Sequence, residues 1–244
     1  MIENKSVTAV LLAAGSSTRF GTGDNKNFVP LCGKPVLAYS IGVFARCPQV
    51  DELLVAVKEE EQASAETLLA QCHIAKPARV VVGGSTRQQS VQQCLEASQS
   101  DYVIIHDGAR PLVRQSFIAD CLGALAQCRG VTVGVLSKDT VKVTDEQGFV
   151  LSTTRRSNTW LIQTPQAFHR TCLLELHRQY GSDDSITDDC MLLERGGVEV
   201  RVLPGHESNI KITTGDDLER VRLWLEQGAG QSKTKTIESA VNKI

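Results

Sequence analysis

No stretch of the 244-residue sequence approaches the roughly 18 to 20 apolar residues that a membrane span requires. The opening MIENKSVTAV lacks the apolar h-region and small-residue cleavage site of a secretory signal, so a soluble, cytoplasmic protein is expected. Charge of one sign is missing too. With 26 basic and 28 acidic residues the formal net charge is −2, which offers no global field to nucleic acid or to an anionic membrane. Any anion site must therefore be local. The eight cysteines contain no C-x-x-C pair and the five histidines no H-x-x-x-H. Most cysteines stand beside apolar residues in segments of helical period, so reduced core thiols are expected and no protein metal ligand is assigned.

The best-known glycine motifs are also absent. A dinucleotide fingerprint needs G-x-G-x-x-G directly after a strand, and the next glycine after Gly15 is Gly21. A P-loop needs Lys after its last glycine, and Gly21 is followed by Thr22. What stands there instead is AVLLAAGSSTRFGTGDNKNFVPLCGKP, from Ala9 to Pro35. An apolar run stops in a loop of small and hydroxyl residues that carries Arg19 and Lys26. Ala13, Ala14 and Gly15 are too small to keep a ligand from the main chain, and the amides of such a junction suit a polyphosphate.

Short β-branched runs alternate with helix-period segments, which predicts an α/β fold with a mostly parallel sheet and helices on both faces. Strands are expected near residues 8–12, 52–57, 79–82, 102–106, 131–136, 160–162 and 198–203. Helices are expected near 36–46, 60–72, 87–97, 117–127, 172–179, 188–195 and 216–226, the last started by Thr214 and the aspartates that follow it. One segment breaks the alternation: Val141-Lys-Val and Phe149-Val-Leu flank a glycine-containing loop and read as a β-hairpin arm, about 137–158, able to project and pair with a neighbour. A single domain over 1–227 is expected, followed by a linker and tail over 228–244.

Ligands of open α/β sheets bind at the carboxyl ends of the strands, and several expected strand ends carry small, hydroxyl or cationic residues. These are His106-Asp-Gly-Ala-Arg-Pro111, Gly83-Gly-Ser-Thr-Arg87 with Ser90, Gln163-Thr-Pro-Gln166 and Asn209-Ile-Lys-Ile-Thr213.

Together with Ala13-Ala-Gly-Ser-Ser-Thr-Arg19, Gly33-Lys-Pro35, Asp139-Thr140, Arg156 with Trp160, and Thr187-Asp188, they resemble the 2-C-methyl-D-erythritol 4-phosphate cytidylyltransferases of the non-mevalonate isoprenoid pathway. The resemblance runs in order from about Val7 to Leu225. It implies a Rossmann-like nucleotidyltransferase domain that transfers CMP from CTP to the polyol phosphate. Arg19, Lys26, Arg156 and Lys211 would be the catalytic cations. Ala13, Ala14, Gly15, Ser16, Gly84 and Ser90 would bind CTP, and Asp107, Arg110, Thr140, Thr164 and Thr187 the polyol phosphate. Mg²⁺ would bridge triphosphate oxygens, and the hairpin arm would cross a homodimer so that Arg156 serves the partner's site. The chain departs from the family where Ser17 replaces a common Gly and Asn25-Lys26-Asn27 a common Pro-Lys-Gln. Two other activities share parts of the pattern: cytidylyl transfer to D-ribitol 5-phosphate, and non-catalytic nucleotide binding by a regulatory protein.

Overall fold

The structure is a computed structural model that describes residues 5–15, 20, 25–181, 183 and 185–227. The expected sites at Ser16 and Arg19, and the linker and tail over 228–244, lie outside the described residues. A seven-stranded sheet forms the centre of the molecule, built from β1 (Val7–Leu12), β4 (Glu52–Val57), β5 (Ala78–Val82), β6 (Tyr102–Asp107), β7 (Gly130–Leu136), β10 (Trp160–His169) and β11 (Val200–Pro204). Its order is β11-β7-β10-β6-β1-β4-β5, and only β10 runs antiparallel to its neighbours β6 and β7. Two short pairs complete the strands: β2 (Pro30–Leu31) with β3 (Lys34–Pro35), and β8 (Lys142–Thr144) with β9 (Val150–Thr153).

The near-continuous apolar runs of β1, β4 and β6 are what a strand covered on both faces requires. Side chains alternate between the faces. Val7, Ala9 and Leu11 pack with Leu37, Ile41 and Phe44 of α1 (Val36–Ala45), with α2 (Gln62–Gln71) and with Ile118 and Leu122 of α4 (Gln115–Ala124). Val10, Val103 and Ile105 face the other way, against Val91 and Leu95 of α3 (Arg87–Ala97), Leu173 and Leu176 of α5 (Arg170–Tyr180), and Leu192 and Leu193 of α6 (Asp189–Arg195). A third cluster, Leu31, Val36, Ile212 and Val221, holds the final helix α7 (215–227) and the 210–212 segment on the β2–β3 pair. The Asp217 carboxylate accepts from the Thr213 and Thr214 amides at 2.9 and 3.0 Å, and Thr214 Oγ1 accepts from the Asp217 amide at 3.3 Å, so α7 starts as its sequence predicts.

One expectation needs correction. The strand expected over 160–162 continues to His169, so Gln163-Thr-Pro-Gln166 lies inside β10 and is not a strand-end loop. The ladder to β7 shifts register between Gln163 and Gln166. Pro165 has no N–H to give a ladder, and this shift is where a sheet tolerates it. The hairpin arm is present, and its turn is closed by Asp145, whose carboxylate accepts from the Gln147 and Phe149 amides at 3.1 and 2.9 Å.

The order of the strands decides where a ligand can sit. From β1 the chain adds β4 and β5 on one side, then crosses back to place β6 on the other. The resulting switch point lies between the carboxyl ends of β1 and β6, where Leu12 registers with Asp107.

Candidate active site

A cleft of about 590 Å³ opens at this switch point, within the roughly 300 to 1,000 Å³ of small-molecule sites. One wall is the end of β1. Ala13 is fully buried and its amide donates to Ala56 O at 2.7 Å. Its carbonyl accepts from Asn25 Nδ2 at 2.7 Å and Asn27 Nδ2 at 3.2 Å. Asn25 Oδ1 in turn accepts from the Asn27 amide at 3.0 Å. The two asparagines that depart from the family pattern thus clamp the turn to β1, and the residue between them, Lys26, lines the cleft. Close approach here depends on Gly108, where a Cβ would fall 2.8 Å from both Asn27 Oδ1 and Leu37 Cδ1.

The opposite wall is the loop from β5 into α3. Ser90 Oγ accepts from the Gly84 amide at 3.1 Å and donates to Thr86 O at 2.9 Å, so this buried hydroxyl shapes the loop. A Cβ on Gly83 would lie 2.7 Å from the same oxygen. Thr86 caps α3 by accepting from the Gln89 amide at 3.1 Å.

At the end of β6, Asp107 Oδ2 lies 2.9 Å from Lys211 Nζ and 3.5 Å from Arg110 Nε. Burial alone would raise the Asp107 pKa, but the nearby charges of Lys211, Arg87 and Arg110 outweigh it and hold the carboxyl far below its usual range. Arg110 also donates from Nη1 to Asn209 O at 2.8 Å. Beneath them runs a buried relay. The Asp107 amide donates to Thr164 Oγ1 at 3.0 Å, Thr164 Oγ1 lies 3.0 Å from His106 Nδ1, and His106 Nε2 lies 3.1 Å from Arg110 O. A carbonyl only accepts, so the proton of a neutral His106 sits on Nε2 and Nδ1 accepts from Thr164. Burial lowers the His106 pKa to about 4 and keeps the ring neutral.

Of the residues singled out from sequence, Ala14, Gly15, Lys26, Gly84, Ser90, Asp107 and Lys211 line one cleft, with Ala13 buried at its base. Arg110 and Thr164 stand behind Asp107, with their polar groups engaged as described. Thr140, Arg156 and Thr187 are exposed and line other surface: Arg156 at the foot of the arm, 3.5 Å from Lys138 O, and Thr187 just ahead of α6, 4.0 Å from Met191 Sδ. Sequence reasoning missed Lys58, Glu59 and Glu60, which line the cleft where β4 ends. Their signal was available, because they directly follow a strand beside the switch point. Arg87 also lines the cleft, in a motif that had been noted without a role for it.

The comparisons with known proteins agree with this geometry. Residues 7–227 match the profile of the family described as IspD, 2-C-methyl-D-erythritol 4-phosphate cytidylyltransferase. A relative bearing that name from Caldanaerobacter subterraneus is 40% identical over 223 residues, covering 90% of this chain and 98% of its own. One from Symbiobacterium thermophilum is 40% identical over 228 residues, covering 92% and 95%. The crystal structure of 4-diphosphocytidyl-2C-methyl-D-erythritol synthase from Anaerococcus prevotii superposes with a TM-score of 0.84 at 30% identity, covering 92% of this chain and 98% of that one. The Francisella tularensis cytidylyltransferase does so with a TM-score of 0.74 at 28% identity, covering 89% and 99%. With its switch-point cleft, its antiparallel β10 and its projecting arm, the chain belongs to the 2-C-methyl-D-erythritol 4-phosphate cytidylyltransferase family.

Proposed function

We propose that the cleft binds CTP and 2-C-methyl-D-erythritol 4-phosphate and transfers CMP to the latter, releasing pyrophosphate. The observation that carries this reading is the convergence of Lys26, Arg87 and Lys211 on one cleft at the switch point, in a chain of this family. A phosphate oxygen of the polyol attacks the α-phosphorus in line, the new P–O bond forms, and the bond to the β-phosphate oxygen breaks. A phosphate monoester has a second pKa of about 6 and is largely dianionic at neutral pH, so no general base is required. Catalysis is positioning plus stabilisation of charge crowding on the α-phosphate.

Lys26 and Arg19 stabilise that charge and the departing pyrophosphate. Main-chain amides from Ala14 to Thr18 hold the triphosphate, while Ala13, Ala14, Gly84 and Ser90 frame the cytosine and ribose. Lys211 orients the attacking phosphate and is itself held by Asp107. Of the residues expected at the polyol phosphate, Asp107 lines the cleft and is assigned to its hydroxyls, Arg110 and Thr164 hold Asp107 from behind, and Thr140 and Thr187 lie on other surface. Arg156 is exposed at the foot of an arm whose Phe149, Val150 and Leu151 are 71, 58 and 66% exposed. Such a solvent-facing apolar strip suits burial against a second copy, so Arg156 is assigned to the partner's cleft in a homodimer.

Magnesium carried on the nucleotide fits the residues present. Asp107 faces Lys211 and Arg110, and among the described residues Glu59 and Glu60 are the other carboxylates of the cleft wall. An ion carried by the nucleotide would keep most of its waters and would need few protein ligands. When bound it would supply charge neutralisation to the triphosphate. Among the described residues no helix is long and apolar enough to cross a membrane, and a cytoplasmic location is proposed.

The test is pyrophosphate release from CTP and Mg²⁺, with 2-C-methyl-D-erythritol 4-phosphate and D-ribitol 5-phosphate in parallel. Fast release with the first substrate and slow release with the second is expected. The reverse would move the protein to ribitol activation, and CTP binding without release from either would mean a non-catalytic binder.

A further inference from the structure

α3 begins at Arg87, so this guanidinium sits in the first turn of a helix, at the end of the dipole that disfavours a cation. It lines the cleft nonetheless, with its side chain 27% exposed. What offsets the dipole lies behind it. Asp189, wholly buried, places Oδ2 2.7 Å from Arg87 Nη2, and its Oδ1 accepts from Nε2 of the buried His177 at 3.2 Å. The surrounding segment is fixed as well. Gln88 Nε2 donates to Ile186 O at 2.7 Å, tying the start of α3 to the approach to α6. Asp188 accepts from the Met191 amide at 3.0 Å and from Gln166 Nε2 at 2.8 Å, which locks the first turn of α6 and with it Asp189.

A buried ion pair of this kind contributes little stability compared with apolar residues of the same volume, because both charges lose their water. Its effect is orientation. A planar guanidinium held on one edge by a fixed carboxylate presents its remaining N–H groups in a fixed direction. Arg87, partly exposed, lines the cleft on its other side.

We propose that Asp189, seated by His177, is a positioning residue that aims Arg87 at the polyphosphate of the nucleotide. Arg87 is then a further polyphosphate-binding cation, and Asp189 and His177 act only through it. This rests on reading the cleft as the CTP site.

The test compares full-length Arg87→Gln, Asp189→Asn and the double variant by calorimetric CTP binding, by KM for each substrate and by thermal midpoint. Asp189→Asn is expected to raise the KM and Kd for CTP roughly tenfold while the KM for the polyol phosphate moves less than about twofold, a split that general loosening of the fold would not produce. Added to Arg87→Gln, it should change CTP affinity less than about twofold, because its partner is already gone. Should Asp189→Asn alone fail to fold, the double variant replaces both charges by amides of similar volume and must reproduce the CTP defect of Arg87→Gln. Normal CTP affinity in a folded Asp189→Asn, or independent, multiplying effects of the two substitutions, would overturn the proposal and leave the cleft assignment standing. A wild-type chain that does not bind CTP would overturn both.

Discussion

Lys211, from the segment that precedes α7, meets Asp107, the last residue of β6, at 2.9 Å between Nζ and Oδ2. The lysine side chain is 39% exposed and the aspartate side chain 11%, so the two ends of this pair are unequal. A partly exposed pair contributes at most about 1 kcal/mol. Lys211→Ala should therefore leave stability nearly unchanged while lowering kcat/KM for the polyol phosphate at least about tenfold. Asp107→Asn should cost stability as well as activity. It leaves Arg110, whose side chain is only 12% exposed, facing a neutral amide, a loss of about 3 kcal/mol in stability. Denaturant titration and steady-state kinetics on both variants check the split.

The buried His106 ring sets an acid limit on stability. Its folded pKa, lowered by burial to about 4, lies below the unfolded value of about 6.5. Between those values the unfolded chain binds a proton that the folded chain refuses, so stability falls as pH drops from about 6.5 towards 4 and is fully present above that window. The gap amounts to about 3 kcal/mol. In His106→Gln the unfolding free energy should lose this component of its slope over pH 4 to 6.5, whatever its absolute value. An unchanged slope in that window would refute the assignment.

Assignment of Arg156 to the partner's site can be settled by mixing. Arg156→Glu and Lys26→Ala should each lower turnover at least tenfold, a loss of about 1.4 kcal/mol or more in transition-state stabilisation. If the two residues that complete one cleft come from different subunits, subunit exchange between these variants restores about a quarter of wild-type activity, since half of the dimers carry one intact site. If Arg156 serves its own subunit, mixing restores nothing. Phe149→Asp, at the exposed tip of the arm, should shift the protein towards monomer in sedimentation without unfolding the body.

Most of the fold could be read from the chain because both faces of the sheet are covered. The apolar runs at Val7–Leu12, Glu52–Val57 and Tyr102–Asp107 leave no competing period, and the structure places strands there. The sequence reading ends this strand at Ile162, whereas β10 runs on through Pro165, whose missing N–H is tolerated where the ladder to β7 shifts register. The cleft was legible as a set of strand ends, yet the role of individual side chains was not. Ser90 and Thr164 look like ligand contacts in sequence, and in the structure their hydroxyls bridge protein groups. Asn25 and Asn27 read in sequence only as departures from the family pattern, and in the structure both reach the Ala13 carbonyl. Such outcomes depend on which distant atom lies within 3 Å, which local pattern does not encode.

The cluster of Leu31, Val36, Ile212 and Val221 joins segments about 180 residues apart in the chain, and this has a consequence for biosynthesis. Strands β1, β4, β5 and β6 lie side by side and leave the ribosome early, so the floor of the cleft can assemble on a nascent chain. Lys211 reaches Asp107 only after the 210–212 segment and α7 have emerged and docked. Until then Asp107 lacks Lys211 and the cleft lacks a cation. Activity therefore begins only once Lys211 and α7 have been made and docked, and a message cut short before codon 211 yields a protein that can form much of the sheet and none of the finished site.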